Sequence, residues 1–246
     1  MLKKINLTKN KLLILTILIN LIKIILSFHL GPIIDPDTKQ YISYMENIYD
    51  GYSFSIKDYT NNQIKPTAYR MPLFMYFNYY ANKIIGNNKK ENFKKTILIT
   101  NNIFFILILI FCYLISNLIT NDKKFAFIST LILSLTPNLF YNSFLVLTDT
   151  MFSFTAIVFS YFFIKFLKTN KIHFLLITTI MLGLSLLTRA IMKFYIIILI
   201  IIIFLNFKKE NIQLKIKKTL ILIFFFIITV FPWLIRNYYK LNFLGF

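Results

Sequence analysis

ILITNNIFFILILIFCYLISNLI, residues 97–119, carries no charged side chain over a length sufficient to cross a bilayer core as a helix. Six further apolar runs flank it: Leu12 to Leu30, Phe125 to Leu139, Thr150 to Leu167, Ile172 to Leu187, Ala190 to Asn206 and Thr219 to Leu234. Those beginning at Phe125 and Ile172 are short. Only Thr188 and Arg189 separate the run ending at Leu187 from the next, which suits a tight hairpin or two half-spans. The expected fold is an all-α membrane protein with about seven transmembrane helices.

Composition points the same way. Of the 246 residues, 57% are hydrophobic, 15% are charged and five are glycine, far from the soluble-globular average. The formal charge of +19 would suit nucleic acid, but the lysines stand in short clusters between the apolar runs, as in cytoplasmic loops. With the N-terminus inside, the cytoplasmic segments carry Lys3, Lys4, Lys9 and Lys11, then Lys123 and Lys124, then Lys165, Lys168 and Lys171, then Lys208, Lys209, Lys215, Lys217 and Lys218. The opposite short segments carry only Arg189, Lys193, Arg236 and Lys240. Membrane lipids, and no nucleic acid, are the surroundings this pattern implies. The first run is too long for a signal-peptide core and no small-residue cleavage pattern follows it, so it reads as an uncleaved signal anchor, made less hydrophobic by Asn20 and Lys23.

Several chemistries find no support. The lone cysteine, Cys112, excludes an intrachain disulfide and a thiol-based metal site. His29 and His173 fall on opposite sides by this topology, so no metal site is expected. No glycine-rich phosphate loop or Ser/His/Asp arrangement is visible, and no cofactor is implied. An outward-facing transferase without a nucleotide pocket would need a donor delivered through the membrane, such as a lipid phosphate.

Residues 31–96 also contain many lysines, but long loops translocate largely regardless of charge, so this segment is expected to be the first extracytoplasmic loop. The loop holds Asp35, Asp37, Glu46, Asp50, Asp58 and Glu91, six of the nine acids. Tyr41, Met45, Ile48 and Tyr49 recur at helical spacing and Gly51 closes that run. Pro72 and Gly86 bracket a second helix whose aromatic surface, with Phe74, Phe77 and Tyr80, suits the lipid headgroup layer. Asp37 is placed to cap the helix from Thr38, with Gln40 as the reciprocal partner of a capping box, and Asp149 is placed to cap the fourth run. A carboxylate at the outer face also suits a general base towards a hydroxyl group, so Asp37, Asp35 and Asp149 are the candidate catalytic acids.

Of twenty-eight cationic side chains only three are arginine: Arg70, Arg189 and Arg236. All three fall at outer ends of apolar segments, where the charge bias disfavours them. Singly each reads as a snorkelling side chain; together they form a candidate phosphate grip, because guanidinium matches phosphate oxygens two at a time. Lys83, Lys193 and Lys240 are auxiliary candidates.

Taken in order, Asp37 with Tyr41 and Gly51, then Tyr69, Arg70, Pro72 and Leu73, then Asp149, then Gly183, Leu184, Leu187, Thr188 and Arg189, and finally Pro232, Trp233, Ile235, Arg236, Asn237 and Tyr238 resemble GT-C glycosyltransferases. The likeness is to the protein O-mannosyltransferase and aminoarabinose transferase branch. It implies transfer of a sugar from a polyprenyl-phosphate donor to a lipid, glycan or protein acceptor outside the plasma membrane, by a single inverting displacement. It further implies that Asp37 acts near the acceptor, with Asp35 as fallback, and that Arg70, Arg189, Arg236, Lys83, Tyr69 and Asn237 hold the donor. Aspartate at 149 stands where such proteins commonly have glutamate, and Met71 where a second proline is usual. Phe246 falls near the middle of typical members, so the chain is expected to be an N-terminal portion or truncated form, 1–246 being one GT-C-like membrane domain. The competing readings are a non-catalytic lipid-phosphate binder of flippase type and an inactive copy.

Overall fold

A computed structural model describes residues 18–57, 63–207 and 210–245. The expected roles of Lys3, Lys4, Lys9, Lys11, Asp58, Lys208 and Lys209 fall outside the described residues. The described helices in chain order are α1 (Leu18–Leu30), α2 (Thr38–Tyr49), α3 (Leu73–Ile85), α4 (Phe93–Thr120), α5 (Lys123–Leu135), α6 (Pro137–Phe144), α7 (Asp149–Thr169), α8 (Ile172–Leu186), α9 (Tyr195–Asn206) and α10 (Ile212–Leu241). Among the described residues three helical stretches are long and apolar enough to cross a membrane, Lys90–Thr120, Asp149–Thr169 and Ile212–Leu241. Leu18–Leu30, Ile172–Leu186 and Ala190–Asn206 are shorter apolar helices.

The expected helix from Phe125 to Leu139 is broken. Pro137 lacks an N–H and drives the preceding residue out of the helical region, so Thr136 is extended (ψ 123°) and α6 restarts with Pro137 in its first turn. The break frees the carbonyl of Ser134 at the end of α5, and the ammonium of Lys23, reaching from α1, donates to it. The lysine that made the first apolar run less hydrophobic therefore serves a helix C-terminus, where positive charge is favoured.

α4 packs against α5 and α7, α7 against α8, and α8 against α10. Gly183 permits a close approach of α8 to α10: a Cβ there would stand 2.7 Å from the side chain of Thr229. At one end of the bundle lie the α4–α5, α7–α8 and α9–α10 turns, where Lys218 pairs with Glu210 at 2.5 Å and Asn170 bonds both. The lysine clusters of α5, α7 and the start of α10 gather at this end.

The other end is covered by the described part of residues 31–96. Here α2 and α3 pack together through Tyr41, Met45, Phe74 and Met75, joined by a two-stranded antiparallel hairpin, β1 (Ser55–Lys57) with β2 (Ile64–Pro66), that the apolar patterning did not reveal. Phe54, fully buried, stacks on Tyr44 with centroids 4.4 Å apart and meets the edge of Trp233 on α10. α3 docks on α4 through two buried Asn/Thr pairs: the hydroxyl of Thr100 donates to Asn78 at 2.7 Å and that of Thr96 to Asn82 at 2.8 Å. The Asn82 amide also donates to the Lys89 carbonyl at 3.0 Å. Replacing Asn82 by alanine strands both partners, and we expect a loss of about 1–3 kcal/mol, read as a lower thermal transition in detergent.

Candidate functional site

Asp37 holds the N-cap position of α2 without a side-chain capping bond, and the turn before it is closed by Asp35: its carboxylate accepts from the Asp37 N–H at 3.1 Å, and the Thr38 hydroxyl accepts from the Asp35 N–H at 2.9 Å. Pro36 stands between them in the turn, where a missing N–H costs nothing. The Asp37 side chain makes no capping bond and instead meets Arg70, Oδ2 to Nη2, at 2.9 Å. Gln40, the expected partner in the capping box, accepts from Arg70 Nε at 2.8 Å. Asp149 is likewise not a cap but the first residue of α7, following Thr148, and its Oδ1 lies 2.7 Å from Arg189 Nη2.

Backbone staples set these four side chains. Ile33 accepts from the Val146 N–H and donates to the Phe144 carbonyl, which ties the segment carrying Asp37 to the segment carrying Asp149. Asn101 of α4 donates to the Leu145 carbonyl at 2.8 Å and holds that joint to the bundle. Leu73 N–H donates to the Leu187 carbonyl at 2.9 Å, tying the segment carrying Arg70 to the segment carrying Arg189. The acids are thus joined through one staple and the arginines through another, and the two ion pairs run between the staples.

They enclose a cavity of about 310 Å³ lined by Asp37, Tyr41, Tyr69, Arg70, Thr148, Asp149 and Arg189, with Met71, Leu147, Thr188 and Ala190. Tyr41, only 5% exposed, stands centrally: its hydroxyl accepts from Arg70 Nη1 at 3.4 Å and interacts with Thr148, which in turn accepts from Arg189 Nε at 3.4 Å. Burial pushes the Tyr41 phenol above its ordinary pKa against the pull of Arg70, so the hydroxyl stays protonated through the neutral range. Sequence reasoning placed Tyr41 on the apolar face of a loop helix and within the family resemblance, but did not weigh Tyr41, Gln40 or Thr148 as site residues. A helical step of four from Asp37 to Tyr41 puts both on one face, a signal present in the sequence.

Of the residues named from sequence, Asp37, Asp149, Arg70, Arg189 and Tyr69 line this cavity; Asp35, Lys83, Arg236 and Asn237 do not. Arg236 donates to the carbonyls of Thr67, at 2.8 Å, and Phe54, holding the hairpin against α10. Asn237 is fully buried, accepts from Arg236 and donates to the Gly245 carbonyl at 2.8 Å. Lys83 lies over the rings of Tyr79 and Tyr80. Lys193 sits over Phe194, and Lys240 is in the last turn of α10. Among the described residues no group of three His, Cys, Asp or Glu is arranged around a metal position.

The model of the dolichyl-phosphate-mannose-protein mannosyltransferase family matches residues 65–235. The chain belongs to this family. Its members are membrane glycosyltransferases of the GT-C type, and the match includes Arg70, Asp149 and Arg189 but begins after Asp37 and stops one residue before Arg236. Comparison with curated proteins and with solved structures gave no match. A mannosyltransferase-family fold thus carries, at the end remote from the lysines of α5, α7 and the start of α10, a cavity where two arginines meet two aspartates.

Proposed function

We propose that the chain moves a sugar from a polyprenyl-phosphate carrier to a hydroxyl of a lipid, glycan or protein acceptor on the outer face of the plasma membrane, with inversion at the sugar carbon. The observation that carries this reading is the convergence of Arg70, Arg189, Asp37 and Asp149 on one cavity. The donor is a phosphodiester bearing one negative charge. As the bond between sugar carbon and phosphate oxygen breaks, the electron pair departs with the phosphate, whose charge grows by one. Arg70 and Arg189 meet that growing charge with fixed guanidinium forks. The acceptor oxygen forms the new bond from the opposite side and its proton passes to Asp37. The lysines of the short loops at the remote end support a cytoplasmic assignment for that end and an outer one for the cavity, the lysines of residues 31–96 standing in a loop long enough to translocate largely regardless of charge.

The reading is tested by placing the chain in proteoliposomes with labelled polyprenyl-phosphate mannose and a panel of lipid, glycan and peptide acceptors. Label is expected to leave the carrier and appear in one acceptor class. Stable donor binding without movement of label in any class would instead support the non-catalytic lipid-phosphate binder.

A further inference from the structure

Both arginines of the proposed phosphate grip already hold an anion. Arg70 uses Nη2 on Asp37, Nε on Gln40 and Nη1 on Tyr41; Arg189 uses Nη2 on Asp149 and Nε on Thr148, with its guanidinium 5.3 Å from the Phe152 ring centre. The charged side chains lining the cavity are these two cations and two anions, so their formal charges cancel. A phosphate entering this cavity meets no net attraction until a carboxylate gives way.

Building on the function proposed above, we infer that Asp149 is an exchangeable placeholder on Arg189: the donor phosphate displaces its carboxylate on entry, and the carboxylate returns to displace the product phosphate on exit. The chemistry supplies the reason for such a device. Transfer converts a phosphodiester of one charge into a monoester that leaves with two, so the product is held by arginine more strongly than the donor. Without a competitor the grip that favours the transition state would also retain the product and limit turnover. Asp149 is suited to compete. It is fixed at the first turn of α7, where the helix N-terminus tolerates its charge while it is detached, and its side chain is 29% exposed, so releasing it from Arg189 leaves no buried charge. Asp37 faces Arg70 in the same way, but there the displaced carboxylate is the proposed base, so donor entry also frees the group that takes the acceptor proton. Asp149 acts through Arg189 and is a positioning residue.

The test is equilibrium binding of a polyprenyl monophosphate to the full chain in nanodiscs, for the wild type and for Asp149→Asn, Asp149→Glu and Arg189→Gln, with thermal transitions confirming that each variant is folded. Removing the competing charge is expected to tighten binding about three- to tenfold in Asp149→Asn. Asp149→Glu is expected to restore wild-type binding, and Arg189→Gln to weaken it tenfold or more. In the transfer assay Asp149→Asn should lower donor KM and kcat together. Unchanged or weaker binding in Asp149→Asn, with weakened binding in Arg189→Gln, overturns the placeholder and leaves the proposed function standing, because Asp149 would then only orient Arg189. Binding indifferent to both substitutions overturns the phosphate grip itself, and the placeholder with it.

Discussion

Replacing Arg70 and Arg189 together by glutamine is expected to lower kcat/KM for the lipid-linked donor by about 10⁴-fold, and each single replacement by about 10²-fold. The magnitude follows from what each guanidinium does in the proposed transition state. A preorganised donor aimed at developing charge is typically worth about 3 kcal/mol, and two acting on one phosphate leave little residual stabilisation when both go. Lysine at either position keeps the charge but loses the planar fork, so Arg70→Lys should recover only part of the loss. Folding is not expected to confuse the result. The two ion pairs are half exposed, with side-chain accessibilities of 26% and 49% for Arg70 and Asp37 and 42% and 29% for Arg189 and Asp149. Pairs so placed contribute at most about 1 kcal/mol to stability. A double variant with an unchanged thermal transition and near-native kcat/KM would remove the arginines from the chemistry. Arg236 marks the contrast, because its engagement with the Phe54 and Thr67 carbonyls ties its replacement to the packing of the hairpin on α10.

The sequence carries the helical class and the two loop helices because their signals are local. Apolar runs without charge, and Pro72 with Gly86 around α3, act over a few residues and survive in the folded chain. Proline misled twice. Pro137 breaks the third apolar run, although Pro232 is accommodated within α10, so the residue type alone does not decide continuity. At Pro36 the helix begins at Thr38 as expected, but the turn before it is closed by Asp35 and Thr38, which leaves the side chains of Asp37 and Gln40 to face Arg70. What was not legible is convergence. Arg70, Arg189 and Arg236 share one end of the molecule, as the lysine bias implied, yet only two share a cavity. The hydrogen bonds that separate them, Leu73 to Leu187 on one side and Arg236 to two carbonyls on the other, join residues more than a hundred positions apart and leave no periodic trace in the chain.

Asp37→Asn carries the largest single effect expected. Asparagine keeps the size and can still meet Gln40 and Tyr41 through Arg70, but it cannot take a proton from the acceptor hydroxyl. General-base catalysis by a positioned carboxylate is worth about 10²- to 10⁴-fold, so kcat should fall by that factor. Donor binding should persist, because the phosphate contacts belong to the arginines and the competing carboxylate is gone. The decisive measurement is therefore made on one preparation of Asp37→Asn in proteoliposomes, scoring polyprenyl-phosphate mannose binding and sugar transfer side by side. Binding at least as tight as wild type with transfer reduced by about 10²-fold or more is the predicted result. Transfer at the wild-type rate would contradict the account, because the carboxylate that lines the cavity opposite Arg70 would then have no part in the reaction.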